Sequence, residues 1–272
     1  MTVPRLAAVA AAFGRDLDHA VERVATLVGH ARRDGVDLLV LPDAALGGYL
    51  TQLGPGAEPP PALEPDHPAL LAVRALAGDM IVCVGYREAD RGRCYNTAVC
   101  LHGDGVLGTH RKVHQPPGES GVYAAGDAFT AFDTPVGRLG MLIDYDKTFP
   151  EAARALALDG AQVLACLSAW PTNVTHRASR VNQDRQSRLF DLYDRARAAE
   201  NQVVLVSSNQ TGTLGGMRFL GQAKVVGPGG DVLARTWAKA GIAAADVDVD
   251  AEVGSARRVL HHLDERRPGA YR

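Results

Sequence analysis

The chain has 272 residues and a formal net charge of −2, with 29 basic side chains against 31 acidic ones. This balance, without a long basic run, excludes a function that depends on tracking a nucleic-acid backbone. Hydrophobic residues make up 46% of the chain and charged residues 22%, as in ordinary soluble globular proteins. Such a length fits one large α/β domain, and we expect a single domain over residues 1–272.

Short apolar runs alternate with segments of helical spacing along the chain. A strand is predicted over residues 5–13, followed by a helix over residues 16–34 in which Leu17, Val21, Val24 and Val28 recur at helical spacing before Gly35 ends it. Further strands are predicted at residues 36–41, 80–86, 96–102, 138–144, 162–167 and 203–208. Further helices are predicted at residues 69–77, from residue 148, and at residues 180–201, with a Pro- and Gly-rich loop at residues 53–68. This alternation predicts a layered α/β fold with crossover connections and some hairpin pairing.

The N-terminus and the cysteines indicate where the protein resides. The first residues read as a strand rather than a signal peptide, and no segment approaches the roughly 20 apolar residues that span a bilayer. The four cysteines have neither paired nor zinc-site spacing. We therefore expect buried, reduced thiols in a cytoplasmic protein, without a cofactor, a metal, a membrane partner or a nucleic-acid partner.

Unusual polar residues follow three of the predicted strands. Asp43 follows the run LLVLP, Lys112 follows His110 and Arg111, and Asp144 follows the run GMLI. A charge beside a buried strand costs free energy unless it is paired or has a function. Because ligands gather at the carboxyl ends of strands in layered α/β folds, these residues are candidates for one site.

The same residues stand in five blocks that resemble the nitrilase (carbon–nitrogen hydrolase) superfamily over the whole chain. The blocks are residues 37–43 (DLLVLPD), 95–98 (YNTA), 110–114 (HRKVH), 137–146 (GRLGMLIDYD) and 197–201 (RAAEN), with residues 168–171 (SAWP) between the last two. The resemblance implies an α-β-β-α sandwich that forms a homodimer or a higher homo-oligomer. It also implies a small-molecule substrate.

The resemblance also assigns roles to individual residues. The family uses a Glu as general base, a Lys that stabilises developing charge and a Cys nucleophile, and many members add a second Glu. Lys112 matches the Lys and Glu119 the second Glu, whereas Asp43 replaces the first Glu and Asp144 replaces the Cys. The substrate-binding residues expected from the resemblance and the neighbouring sequence are Tyr145 (through its backbone N–H), Trp170, Tyr49 and His114.

A carboxylate in the nucleophile position changes the expected chemistry. It attacks an amide poorly and would form a mixed anhydride, but it is a competent general acid or base when its pKa is tuned. The first interpretation is therefore cysteine-independent acid/base chemistry at an amide, carbonyl or imine carbon, leading to hydrolysis, cyclisation or condensation. The alternatives are a catalytically inactive protein that binds a ligand or a partner, and a divalent metal site, which the lysine among the acids opposes. A displaced nucleophile at Cys166 is disfavoured because that residue lies in a buried-strand run.

Overall fold

Two β-sheets and five α-helices form the structure, a computed structural model that describes residues 3–54 and 56–271. The strands are β1 (Arg5–Ala11), β2 (Leu38–Val40), β3 (Ile81–Asp90), β4 (Arg93–His102), β5 (Gly105–Arg111), β6 (Leu139–Ile143), β7 (Val163–Leu167), β8 (Val204–Ser207), β9 (Asn209–Gln210), β10 (Thr213–Leu214), β11 (Met217–Arg218), β12 (Lys224–Val226), β13 (Val232–Arg235) and β14 (Gly241–Asp246). The helices are α1 (Leu17–Arg33), α2 (Pro68–Ala77), α3 (Pro150–Leu158), α4 (Arg185–Asn201) and α5 (Val249–Ala256). Among the described residues, none of these helices combines the length and the apolar character that crossing a bilayer requires.

The first sheet has the order β14-β1-β2-β3-β4-β5, with β9 added beside β1, and the second has the order β13-β12-β8-β7-β6. Each sheet contains three neighbouring parallel strands, β1, β2 and β3 in one and β6, β7 and β8 in the other. Antiparallel strands lie on both sides of this group in the first sheet and beside β8 in the second, where β6 forms the edge. The strands β3 and β4 form the hairpin expected from the close succession of their sequences. The small β10–β11 hairpin stands apart from both sheets.

Burial on both faces explains why the central strands are continuous apolar runs. In β1, Leu6, Ala8 and Ala10 pack between the sheets, against residues such as Met141 of the second sheet. The alternate side chains of β1 pack with α1 and α2 on the outer face of the first sheet. The outer face of the second sheet packs in the same way against α3 and α4. The predicted α-β-β-α sandwich is therefore confirmed.

The helix expected over residues 180–201 is split. A 3₁₀ turn, Val181–Gln183, precedes α4, which starts one residue after Asp184. The buried Asp184 carboxylate accepts the backbone N–H of Gln186 as the helix cap and also accepts those of Asn173 and Ala178. A capping aspartate ties down the preceding loop and fixes the helix start.

One glycine holds the first sheet against the segment that carries Asp43. A Cβ atom on Gly85 of β3 would lie 2.7 Å from the backbone nitrogen of Ala44 and 2.9 Å from the Cα of Asp43. Such distances require the backbone of one segment to shift. The close approach of β3 therefore depends on the absence of a side chain at this position.

We expect Gly85→Ala to lower the free energy of unfolding by about 1–3 kcal/mol, the usual cost of overpacking a filled interior. Urea unfolding followed by circular dichroism measures this change. Gly105→Ala is the matched control, since a Cβ atom there would meet no atom within 4 Å. Equal urea midpoints for the two variants would show that the segment around Asp43 accommodates the added methyl group without loss of stability.

Candidate active site

The predicted site residues meet where strands of both sheets end. Lys112 follows β5 directly, and its backbone N–H donates to the Asn96 carbonyl at 2.8 Å. Its Nζ donates to Glu119 Oε1 at 2.8 Å and to Asp144 Oδ2 at 3.3 Å. All three side chains are buried, so this ammonium bridges two carboxylates away from solvent.

Asp144 stands at a sharp turn between β6 and the 3₁₀ helix Asp144–Thr148. Its φ of 48° lies in the left-handed region, which few residues other than glycine adopt and which Asp tolerates better than most. One carboxylate oxygen, Oδ2, contacts Lys112, and the other, Oδ1, is buried without a hydrogen-bond partner among the described residues. The carboxylate therefore has one oxygen fixed by a cation and one that remains to accept a proton.

Asp43 lies deeper than Asp144. It is fully buried, and its Oδ2 accepts a hydrogen bond from Asn96 Nδ2 at 3.1 Å. Among the described residues, it forms no ion pair with Lys112 within 4.0 Å, and its Oδ1 has no partner. Burial raises the pKa of Asp43 to about 7; the charge of Lys112 opposes this rise, and the charges of Asp144 and Glu119 reinforce it. Asp43 is thus a group that exchanges its proton near neutral pH.

The charges around Lys112 also affect the pKa of Glu119. Burial raises the pKa of Glu119, against the opposing effect of Lys112, and its Oε1 also accepts the Tyr49 hydroxyl. Burial lowers the pKa of Lys112, but the charges of Glu119, Asp144 and Asp43 outweigh burial and leave it raised. Lys112 is therefore a permanent cation, and titration near neutrality falls to the carboxylates.

A pocket of about 160 Å³ opens over Asp144. Tyr49, Tyr145 and Trp170 line it, as expected from the sequence. Tyr145 is the second residue of its 3₁₀ helix, a position where the backbone N–H has no partner within the helix. Asn209 accepts the backbone N–H of Trp170 at 2.8 Å, which holds this wall in place.

His114 does not lie among the residues that line this pocket. Its Nδ1 lies 3.0 Å from Asp146 Oδ1, and its ring stacks on Phe149 with centroids 3.8 Å apart. Asp146, which sequence reasoning did not place in the site, also contacts His110 Nε2 at 2.9 Å. Burial raises the pKa of Asp146, but its hydrogen bonds with the two histidines outweigh burial and hold the pKa well below its usual range.

Other residues of the site carried weaker signals in the sequence. Asn96, the partner of Asp43, stands in the block YNTA and was not singled out there. Thr172 and Gln186 line the pocket. They belong to a loop and to a helix start, respectively, and no motif or spacing marks them.

Cys166 and the clustered acids are the alternative reactive centres that the sequence offers. Cys166 is fully buried in β7, burial raises its pKa to about 12, and it does not line the pocket. Over residues 3–54 and 56–271, no group of three or more His, Cys, Asp or Glu side chains has an arrangement that could hold a metal ion.

Comparison with known sequences identifies close relatives of the whole chain. The carbon–nitrogen hydrolase family model matches residues 5–258. An (R)-stereoselective amidase from Pseudomonas is 32% identical over 93% of this chain and 88% of its own length. Omega-amidase NIT2 from Bos taurus is 31% identical over 92% of this chain and 90% of its own length.

Solved structures show the same fold. A carbon–nitrogen hydrolase from Helicobacter pylori superposes with a TM-score of 0.85 at 25% identity, covering 98% of this chain and 96% of its own. An amidase from Nesterenkonia superposes with a TM-score of 0.79 at 22% identity, covering 99% of this chain and 95% of its own, which supports the fold alone. With its sequence matched from residue 5 to residue 258, the chain belongs to the carbon–nitrogen hydrolase family of the nitrilase superfamily.

Proposed function

We propose that the protein hydrolyses small carboxamides without a cysteine nucleophile, using Asp144, Lys112 and Asp43. The observation that carries this proposal is the Asp144 carboxylate at the pocket, with Oδ2 on the Lys112 ammonium and Oδ1 without a partner. Two relatives named as amidases, each matched over more than nine-tenths of this chain, support the choice of reaction.

The first step is the activation of water. Asp144 is a poor nucleophile towards an amide, because attack would give a mixed anhydride, but it is a suitable general base. Its Oδ1 takes a proton from a water molecule while the water oxygen bonds to the amide carbon. The carbonyl π bond breaks, and its electron pair moves onto the carbonyl oxygen.

Positive groups then stabilise the oxyanion. Lys112, held by Glu119 at 2.8 Å, supplies the cation, and the backbone N–H of Tyr145 supplies a hydrogen-bond donor beside it. Because burial excludes bulk water around Lys112, its charge acts with little screening. Glu119 and Tyr49 position this cation and do not touch the reacting atoms.

Asp43 completes the reaction as the proton donor. With a pKa of about 7, it holds a proton over the acidic and neutral range and transfers it to the leaving nitrogen. The carbon–nitrogen bond then breaks, and ammonia and a carboxylic acid leave. The proton taken up by Asp144 returns to Asp43 through water, which restores both groups.

The same donor and base would act on an imine or another carbonyl carbon, and cyclisation or condensation would require only a different nucleophile.

The two substitutions relative to the family pattern complement each other in size. By the resemblance, Asp43 is one methylene shorter than the usual Glu, whereas Asp144 is bulkier than the usual Cys. The pair therefore keeps the volume of the site similar while exchanging a thiol for a carboxylate.

We further propose that the protein acts as a homodimer or a higher homo-oligomer, as the resemblance implies.

Binding without turnover is the second candidate. The observation that favours it is the buried network of Tyr49, Glu119, Lys112 and Asp144, in which the cation already has two carboxylate partners. No cysteine is among the residues lining the pocket. Such a site would hold a ligand or a partner group but would release no ammonia.

We expect Asp144→Asn to reduce ammonia release from primary carboxamides about 100-fold or more, because the amide side chain cannot take the proton from water. The matched control is Asp104→Asn, since that side chain is 96% exposed and lies away from the pocket. Circular dichroism verifies that both variants fold. Full activity of Asp144→Asn would end the proposed mechanism, whereas carboxamide binding by the wild type without ammonia release would favour the second candidate.

We expect thiol alkylation by iodoacetamide to leave the hydrolytic rate of the wild type unchanged, because Cys166 is fully buried and its pKa is about 12. Asp144→Cys is the positive control for access of the reagent. A thiol placed beside Lys112 should ionise and react, and peptide mass spectrometry should locate the adduct at position 144. Inhibition of the wild type would instead point to Cys166 as the nucleophile.

We expect kcat/KM to fall as pH rises above about 7, because Asp43 must keep its proton to act as the donor and its pKa is raised to about 7. Initial rates with one neutral amide between pH 5 and pH 9 (about the range that spans this titration) provide the test. Asp43→Asn should be slow at every pH and lose the alkaline limb. A wild-type rate that rises through pH 7 would make Asp43 the base.

A further inference from the structure

We infer that the substrate is an uncharged carboxamide whose acyl group is apolar, either a six-membered ring or an alkyl chain. This inference rests on the proposed hydrolysis and concerns the same pocket. It comes from the size of the pocket, from the cavity beside it, and from the charges of both walls.

The inner pocket sets the size of the group next to the amide. Its volume is about 160 Å³, and a cavity of about 150 Å³ is known to hold benzene. Trp170, Pro171 and Leu53 provide apolar surface there. The pocket therefore accommodates a ring or a short alkyl chain beside the carbonyl group.

The inner pocket lies beside a wider cavity, which we call the vestibule. The vestibule has a volume of about 830 Å³ and shares Leu53 and Val174 with the inner pocket. Its described wall is built from residues 53–54, 56–57, 117–118, 121–122 and 174–175, with Ala57 and Val122 among its apolar side chains. A longer acyl chain would thus leave the inner pocket along an apolar wall.

The described walls of the inner pocket and of the vestibule contain few charged residues. Charged residues make up 22% of the chain, yet among the described residues Asp144 alone is charged in the lining of the inner pocket, and none is charged in the lining of the vestibule. Two other surface cavities contain charged groups, among them Arg188 of α4 and Arg235 of β13 in one and Arg111 of β5 in the other. These two cavities therefore differ in charge from others on the same surface.

A charged acyl group would lose hydration in these cavities. Among the described lining residues, a carboxylate would meet no counter-ion, and an ammonium would meet only Asp144, the proposed base. The polar groups that line the inner pocket away from Asp144 are neutral, and Thr172 Oγ1 is buried without a hydrogen-bond partner among the described residues. Such a hydroxyl suits an ether, hydroxyl or carbonyl oxygen on the substrate. It does not compensate a full carboxylate or ammonium charge.

Three amides of equal chain length provide the test: hexanamide, its analogue with a terminal carboxylate (adipic acid monoamide), and its analogue with a terminal ammonium (6-aminohexanamide). We expect kcat/KM for ammonia release to be at least about tenfold higher for hexanamide than for either charged analogue, since tenfold corresponds to a modest loss of hydration. The assay uses low ionic strength so that salt does not screen the difference.

Val174→Lys tests whether the vestibule wall causes this preference. Val174 is 57% exposed, so the Val174→Lys variant should fold normally. It should raise the ratio of adipic acid monoamide to hexanamide turnover about threefold, as expected for an exposed ion pair. Val106→Lys is the matched control, because Val106 is 56% exposed and lines neither cavity. It should leave the ratio unchanged.

Failure of the substrate class is distinguishable from failure of the reaction. If none of the three amides releases ammonia, the proposed hydrolysis is wrong, and calorimetric titration of the wild type with the same amides still ranks their affinities. Tighter binding of hexanamide would then support the inferred class for a binding protein. Equal or better turnover or binding of a charged amide, or no binding of hexanamide, would overturn the inference.

Discussion

The arrangement of the site depends on one buried ammonium that lies among three buried carboxylates. Lys112 contacts Glu119 and Asp144 directly, and its charge also acts on Asp43. One positive charge cannot compensate three negative ones in a buried site, so at least one carboxylate holds a proton near neutrality. The raised pKa of Asp43 expresses this imbalance. Within this network, Asp43 Oδ1, Asp144 Oδ1 and Glu119 Oε2 are buried without a hydrogen-bond partner among the described residues.

This charge arrangement requires that the ends of β5 and β6 keep a fixed separation, and Asp146 provides the connection. Its carboxylate accepts the backbone N–H groups of Val113 and His114 beyond β5, and that of Ile143 at the end of β6. It also contacts the rings of His110 and His114. These bonds join the first sheet to the second. Val113 is one residue from Lys112, and Asp146 is two residues from Asp144. A buried carboxylate saturated in this way positions the reacting groups although it does not touch the pocket.

The layered fold was predictable from the sequence because strands buried on both faces leave continuous apolar runs, as in β1 and β7. The grouping of Lys112, Glu119 and Asp144 was predictable from the resemblance together with the rule that functional residues follow strand ends. The orientation of the His114 ring was not predictable from the sequence. Contacts with Asp146 and Phe149 determine it, and both residues lie more than 30 positions after His114 in the chain. The uncharged wall of the vestibule was not predictable either, since residues from three separate loops form it. Charge balance and cavity walls arise from residues distant in sequence, and single-chain patterns do not encode them.

The uncharged entrance and the charge imbalance at Lys112 support each other. A substrate carboxylate beside Asp144 would add a further negative charge near Lys112 and raise the pKa of Asp43 further. A substrate ammonium would compete with Lys112 for Asp144 and weaken the cation that holds the oxyanion. A neutral amide leaves the titration of Asp43 and the ion pairs of Lys112 as they are in the free protein. By the resemblance, exchanging a thiol for the carboxylate of Asp144 adds an acid to the buried site. Under the proposed function, that exchange favours acid/base chemistry over covalent attack, and it disfavours charged acyl groups.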